Sequence, residues 1–209
     1  MVKIALQIKA TMEGIQKLYT NHPDHQWFVK LKCSSCGEET SKFHDLMESE
    51  TVPLKHNRSS ANLIITCKLC SRENTMDIVA GSNGVYTDED SNKFKTMVIF
   101  ECRGVEPIEY EPRSGWLLEC TYSKTQISHF TVCILVSGGT TMDMQAGHHS
   151  LLLLNCTLMM KSHVFQFFPI SGTKFDNVDL TEKEWAEYDV KNNQSVGIYE
   201  LQSQFIKVK

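Results

Sequence analysis

Two stretches decide the reading of this chain: Trp27-Phe28-Val29-Lys30-Leu31-Lys32-Cys33-Ser34-Ser35-Cys36-Gly37 and Ala61-Asn62-Leu63-Ile64-Ile65-Thr66-Cys67-Lys68-Leu69-Cys70-Ser71. Each is an extended-looking apolar run that delivers the chain into a Cys-x-x-Cys turn, and thirty residues separate the two pairs. A two-residue gap lets both sulfurs of one turn reach the same ion, and two such turns complete the tetrahedral thiolate shell that Zn²⁺ prefers. Gly37 follows the first pair and supplies the positive φ that lets amides turn back toward a bound sulfur. The second turn has no glycine there. Lys32, Lys68 and Arg72 stand where they can offset the negative charge of four thiolates around a divalent ion. A redox dithiol or a disulfide is the other reading of such pairs. Redox motifs usually come singly, with the first cysteine opening a helix, whereas both pairs here follow strand-like runs.

Working outward, Thr75-Met76-Asp77-Ile78-Val79 leaves the second turn, so each knuckle is expected to cap a hairpin in the manner of a zinc ribbon. Upstream, Ile4, Leu6 and Ile8 share one face of an opening strand, and Asn21-His22-Pro23-Asp24 is turn material. The polar segment from Phe43 to Ser60, with Pro53, reads as a loop. After the break Asp88-Glu89-Asp90-Ser91-Asn92, the run from Lys95 to Gly104 echoes the opening of the chain, with Cys102 in the place of Ala10 and Ile108 in that of Ile15. The expectation is a mainly β protein of two similar halves, residues 1–87 carrying the cysteine pairs and 93–209 not. Near the C-terminus Thr181-Glu182-Lys183-Glu184 matches a capping box and predicts one short helix through Trp185 and Tyr188, before a closing strand from Ser195. Glu182, Glu184, Glu187 and Asp189 then form an acidic patch on a solvated face.

Length, charge and cysteine use bound the function. The 209 residues suffice for one sizeable core, and the formal net charge of −4 argues against a general nucleic-acid surface. A small basic patch of Lys30, Lys32, Lys68 and Arg72 keeps a local nucleic-acid contact in view. The first nine residues alternate apolar and polar types and do not form a signal peptide. Eight cysteines without such a leader imply a reducing compartment, cytoplasmic with the nucleus also open, and make the Asn-x-Ser/Thr matches at Asn57, Asn155 and Asn193 fortuitous. Trp116 to Pro169 stands apart, with only Glu119, Lys124, Asp143 and Lys161 charged. Its apolar runs are far shorter than the roughly 20 residues needed to span a bilayer. His148, His149, Cys133 and Cys156 follow no ligand spacing.

The stretches KIALQIKATMEGI (3–15), WFVKLKCSSCGE (27–38), TCKLCSREN (66–74), FKTMVIFECRGVEPIEYEPRSG (94–115), FDNVDLTEKEW (175–185) and YDVKNNQSVGIYELQSQF (188–205) together resemble the eukaryotic CXXC-motif-containing zinc-binding protein family. The resemblance implies a mainly β fold of two like halves with one Zn²⁺ in the first, held by Cys33, Cys36, Cys67 and Cys70. It brings no catalytic residue. It also implies that 116–169 is an insertion, because family members pass from the EPRSG-like turn to the SGTKF-like segment in a few residues. Such an insertion reads as an alternative transcript product or a gene-model artefact.

Four cysteine ligands close the coordination shell, and the chain carries no Gly-x-Ser-x-Gly, His-Glu-x-x-His or phosphate-cradling glycine loop. The expected function is therefore a non-catalytic zinc-binding protein, monomeric, docking an unidentified protein partner and neither membrane nor nucleic acid. The alternative is a metal-handling or thiol-redox protein that exchanges zinc or copper with a partner.

Overall fold

The alternation of Val2–Glu13 forms β1, and the single residue Gly14, at φ 66, turns the chain into β2 (Ile15–Thr20). Lys95–Arg103 forms β10, and Gly104, at φ 74, turns it into β11 (Val105–Glu111) in the same way. A Cβ at Gly104 would lie 2.2 Å from Asn74 Oδ1, so steric room as well as φ reserves that turn for glycine. The structure is a computed structural model describing residues 1–54, 59–120 and 172–208. The described residues belong to one compact unit.

Between these two strand pairs lie β3 (Trp27–Cys33), the short β4 (His44–Leu46), β5 (Val52–Pro53) and β6 (Ser60–Ala61), then β7 (Leu63–Thr66), β8 (Glu73–Ile78) and β9 (Tyr86–Thr87). After β11 come β12 (Trp116–Cys120), β13 (Lys174–Val178), β14 (Trp185–Asp189) and the long β15 (Gln194–Val208). The main sheet has the order β14-β15-β1-β10-β8-β7, flanked by β11-β3-β4 and β13-β12-β2-β9. Strand β1 sits in the middle of its sheet, so Ala5 is buried as well as Ile4, Leu6 and Ile8. Trp27, Trp116 and Phe100 meet edge-on in the core, the tryptophan rings 6.0 Å apart.

The two halves interlock and are related by a pseudo-twofold exchange. Strand β1 pairs antiparallel with β10, β2 pairs with β12 as β11 pairs with β3, and β15–β14 flank β1 as β8–β7 flank β10. The correspondence holds to the residue. Ile15, just after Gly14, pairs with Cys120, and Val105, just after Gly104, pairs with Cys33. The repeat is therefore anchored on the two turn glycines, and the match of Ala10 with Cys102 is replaced by that of Gly14 with Gly104.

Three expectations change. The C-terminal helix is a strand: Thr181 gives its amide and hydroxyl to Asp179 Oδ1, Lys183 takes φ 64, and Trp185–Asp189 pairs along β15. The capping pattern is a local signal, and it loses to sheet pairing and to the packing of Trp185 edge-on against Phe175. The loop from Phe43 to Ser60 carries β4, β5 and the start of β6. Residues 116–120 are an integral strand with Trp116 fully buried, so the first five residues of the segment 116–169 belong to the core sheet and are not part of an insertion. The other residues of that segment, including Cys133, His148, His149 and Cys156, lie outside the described residues. Among the described residues no helix is long and apolar enough to cross a membrane.

His25 is buried between Trp27 and Trp116, with ring centroids 4.7 and 5.2 Å away. Its Nδ1–H donates to the Gly115 carbonyl at 3.3 Å, and Nε2 has no partner among the described residues. Burial holds its pKa down to about 4, against the opposing pull of the Gly115 carbonyl. Neutral His25 therefore favours the folded state above the unfolded pKa, and this contribution fades as pH falls from 6.5 toward 4. Denaturant titrations should show about 2 kcal/mol less stability at pH 5 than at pH 7.5 from this group alone. His25→Gln, compared with wild type over the same range, should flatten that difference; an unchanged slope assigns it to other groups.

Candidate metal centre

Strand β3 ends in Cys33, and the turn that follows closes by Cys33 N–H to the Glu38 carbonyl and Gly37 N–H to the Cys33 carbonyl, 2.8 and 2.9 Å. The β7–β8 hairpin turns in the same way: Cys67 N–H reaches the Arg72 carbonyl and Ser71 N–H the Cys67 carbonyl, both at 2.9 Å. Gly37 takes φ 79, as its place in the sequence predicted. Ser71 takes φ 57 in the equivalent place, so a serine bears the left-handed conformation that glycine bears in the first knuckle.

The two tips meet. The Sγ atoms of Cys33, Cys36, Cys67 and Cys70 all lie within 4.8 Å of one another, with Cys33 to Cys70 at 3.8 Å and Cys36 to Cys67 at 3.4 Å. A tetrahedral ion with Zn–S bonds of about 2.3 Å sets its sulfurs about 3.8 Å apart, so the donor set matches zinc in type, number and spacing. Cys33 and Cys67 are the inner pair, buried, while Cys36 and Cys70 face solvent. The amides of Cys36 and Ser35 turn toward the Cys33 sulfur and bring its pKa down to about 6. The amides of Cys70 and Leu69 lower that of Cys67 against the cost of desolvation. Asn74 Nδ2 adds a donor to Cys33 Sγ at 3.8 Å. These groups stabilise thiolate, the form a metal binds. Lys30 and Lys32 are ion-paired with Glu109 and Glu39, which neutralises half of the basic patch read from the sequence; Arg72 donates to the uncharged Ser35 hydroxyl, and neither Arg72 nor Lys68 has an ion-pair partner among the described residues.

The pseudo-twofold exchange places a third turn of this kind in the second half, and sequence reasoning missed it. The Thr66–Glu73 pair of β7–β8 corresponds to the Tyr188–Ser195 pair of β14–β15, so Asp189 falls where Cys67 stands, Asn192 where Cys70 stands and Asn193 where Ser71 stands. Asn193 has φ 51, matching Ser71. Asp189 accepts the amides of Lys191 and Asn192, two and three residues on, as Cys67 accepts those of Leu69 and Cys70. Asn192 Nδ2 donates to Asp189 Oδ2 at 2.6 Å, and Thr173 Oγ1 donates to Oδ1 at 2.8 Å. The Thr173 carbonyl takes the amide of Cys120, the counterpart of Cys33. A buried carboxylate thus joins the same two elements that the cysteines join in the first half. Burial opposes its charge, but these donors outweigh it and hold the pKa below the usual carboxylate range. Asp189 is not part of the exposed acidic patch, which is left to Glu182, Glu184 and Glu187.

A mainly β fold with two thiolate knuckles converging on one tetrahedral position defines a Cys₄ zinc-ribbon type of metal-binding protein. The chain belongs to the family described as CXXC motif containing zinc binding protein, eukaryotic, which it matches over residues 5–133 and 154–206. It is 42% identical over 210 residues to the Drosophila melanogaster "UPF0587 protein CG4646", covering 100% of this chain and 99% of the other. It is 35% identical over 207 residues to the Homo sapiens "CXXC motif containing zinc binding protein", covering 99% of each. Among solved structures it resembles "Crystal Structure of C1orf123" with a TM-score of 0.70 and 34% identity, covering 99% of both chains. A hypothetical protein from Plasmodium falciparum has a TM-score of 0.68 at 17% identity, over 99% of this chain and 100% of the other, and shows the fold alone.

Two substitutions test the turns. Asp189→Ala strips four donors of their acceptor and should cost about 3 kcal/mol in urea unfolding while leaving zinc content unchanged. Ser71→Gly removes the left-handed strain and should raise stability by about 0.5–1 kcal/mol.

Proposed function

We propose that this zinc-binding protein is non-catalytic, that Cys33, Cys36, Cys67 and Cys70 hold one Zn²⁺ as a structural cross-link, and that the folded surface docks another protein. The observation that carries the reading is the closed donor set: four sulfurs around one position leave a four-coordinate ion no place for water or substrate. The inner pair is buried and held by backbone amides, which suits an ion kept in place. Thiolate ligands of this kind go with a reducing compartment, cytoplasm or nucleus.

A second reading has its own support. Cys36 and Cys70 are exposed, so a competing thiol can approach the ion from the tip. On that reading the site exchanges zinc, or Cu(I), which soft thiolates accept, with a partner.

Two measurements separate these readings. Cys67→Ser should lose stoichiometric zinc by elemental analysis and destabilise the first half; a variant keeping one full equivalent overturns the ligand set. A mild chelator acting on wild-type protein should remove zinc together with β-sheet circular dichroism if the ion is a cross-link. Release with the signal intact favours exchange. Affinity capture with wild-type and zinc-less protein then tests the docking role, since partners lost with the metal tie the site to the surface.

A further inference from the structure

The metal-bearing hairpin exposes a sheet edge whose counterpart in the other half is guarded. Strands β7 and β14 are the two outermost strands of the six-stranded sheet and occupy equivalent positions. The hydrogen bond from Cys67 N–H to Arg72 fixes the ladder's alternation, so Leu63 and Ile65 bond inward to β8 while the amide and carbonyl groups of Ile64 and Thr66 point outward. No hydrogen bond from a described residue meets those outward groups. Edges are ordinarily blunted by charge, proline or a bulge. Strand β14 carries Glu187 in the register position where β7 carries Ile65, and Ala186 where β7 carries Ile64. The same edge is thus charged in one half and aliphatic in the other.

Beside the aliphatic edge lies a cavity of about 220 Å³, walled by β7 and its knuckle on one side and by residues 38–44 on the other. Leu31, Val105 and Ile65 give it an apolar lining, next to the inner ligands Cys33 and Cys67. Asn74 lines it too; its side chain is buried, and while Nδ2 is directed at Cys33, Oδ1 has no hydrogen-bond partner among the described residues. The counterpart of Asn74 is Val196, so this polar atom belongs to the metal-bearing side alone. On the rim Glu39 is held by Lys32, and Lys42 and Lys68, which have no ion-pair partner among the described residues, outnumber Glu38.

We propose that an extended segment of a partner protein adds to β7 as a further strand, seating an aliphatic side chain in this cavity and directing acidic residues toward Lys42 and Lys68. Main-chain bonds to Ile64 and Thr66 supply affinity, and the cavity selects the anchor. This rests on the docking reading above and names the kind of partner it takes.

The test uses the zinc-loaded full chain, isotope-labelled, with a synthetic peptide of about eight residues that alternates valine and threonine and ends in two aspartates. A lysine-ended peptide is the control. The expected result is slowed hydrogen exchange at the Ile64 and Thr66 amides with the acidic peptide, and weaker binding of the control. Ile64→Pro removes an outward amide without touching the β8 ladder and should weaken binding about tenfold while zinc content stays at one equivalent. If that variant loses zinc, Ile65→Glu, which copies the guarded edge, takes its place. No binding, or protection at other amides only, overturns the proposal. So does a dimer whose Ile64 and Thr66 amides are already protected without peptide, because a second copy is then the occupant. Capture of cellular partners by wild type and Ile64→Pro keeps the two claims apart. Equal capture by both sinks this edge and leaves the docking role standing, whereas no capture by either sinks the docking role.

Discussion

The antiparallel pairing of β1 with β10 is the constraint from which the rest follows. It runs through the middle of the main sheet, so Ile4 against Phe100 and Leu6 against Val98 bury their side chains in a shared core. Each strand then leaves the sheet through one left-handed glycine, Gly14 or Gly104, and the following strand is aimed into the opposite half. The segment ending in Cys33 is thereby held by β11, which belongs to the second half. The metal position is local in sequence to the first half, yet its first ligand is fixed by a strand from the other.

Three turns share one backbone and use two chemistries. In each, a residue at the end of a strand accepts amides from two and three positions ahead, and the next position takes positive φ: Gly37, Ser71 or Asn193. Amides that converge on one atom favour an anionic acceptor, because hydrogen bonds to a charged partner are the stronger ones. A thiolate fills that place only if a cation keeps several thiolates together, since like charges so close repel. A carboxylate fills it alone, given further donors such as Thr173 and Asn192. The two halves therefore each present an anionic centre to these amides, and the carboxylate of the second half needs no metal to do so.

This difference explains what was legible in the sequence. Cysteine pairs announce themselves by spacing, and Trp27–Cys33 and Leu63–Thr66 announce themselves as strands by apolar runs, so the site and the mainly β class could be read directly. Asp189 could not. Its role depends on pairing register with β15, and on its own it looks like one more acid beside Glu187. The capping box at Thr181 misled for the same reason, being a local pattern in a segment whose conformation is set by β15 and Phe175. The one signal that could have found the repeat was there in the chain: Gly14 and Gly104 each interrupt two strand-like runs without any other turn residue.

The two edges of the sheet follow from the two chemistries. A turn tied only by hydrogen bonds around Asp189 exchanges its donors with water more readily than one closed by metal–sulfur bonds, and an aliphatic edge that frays is a pairing hazard. Glu187 on β14 limits that hazard where the tie is weaker. On the cross-link reading, a hairpin clamped by an ion through Cys67 and Cys70, with the opposite knuckle clamped to the same ion, opens at its tip only by breaking metal–sulfur bonds. Such an edge is held in pairing geometry before anything arrives, so the ordering entropy of strand addition falls mainly on the incoming chain. On that reading the ion that closes the knuckles also makes an unguarded Leu63-Ile64-Ile65 edge tolerable, and this joins the coordination chemistry to the surface beside it.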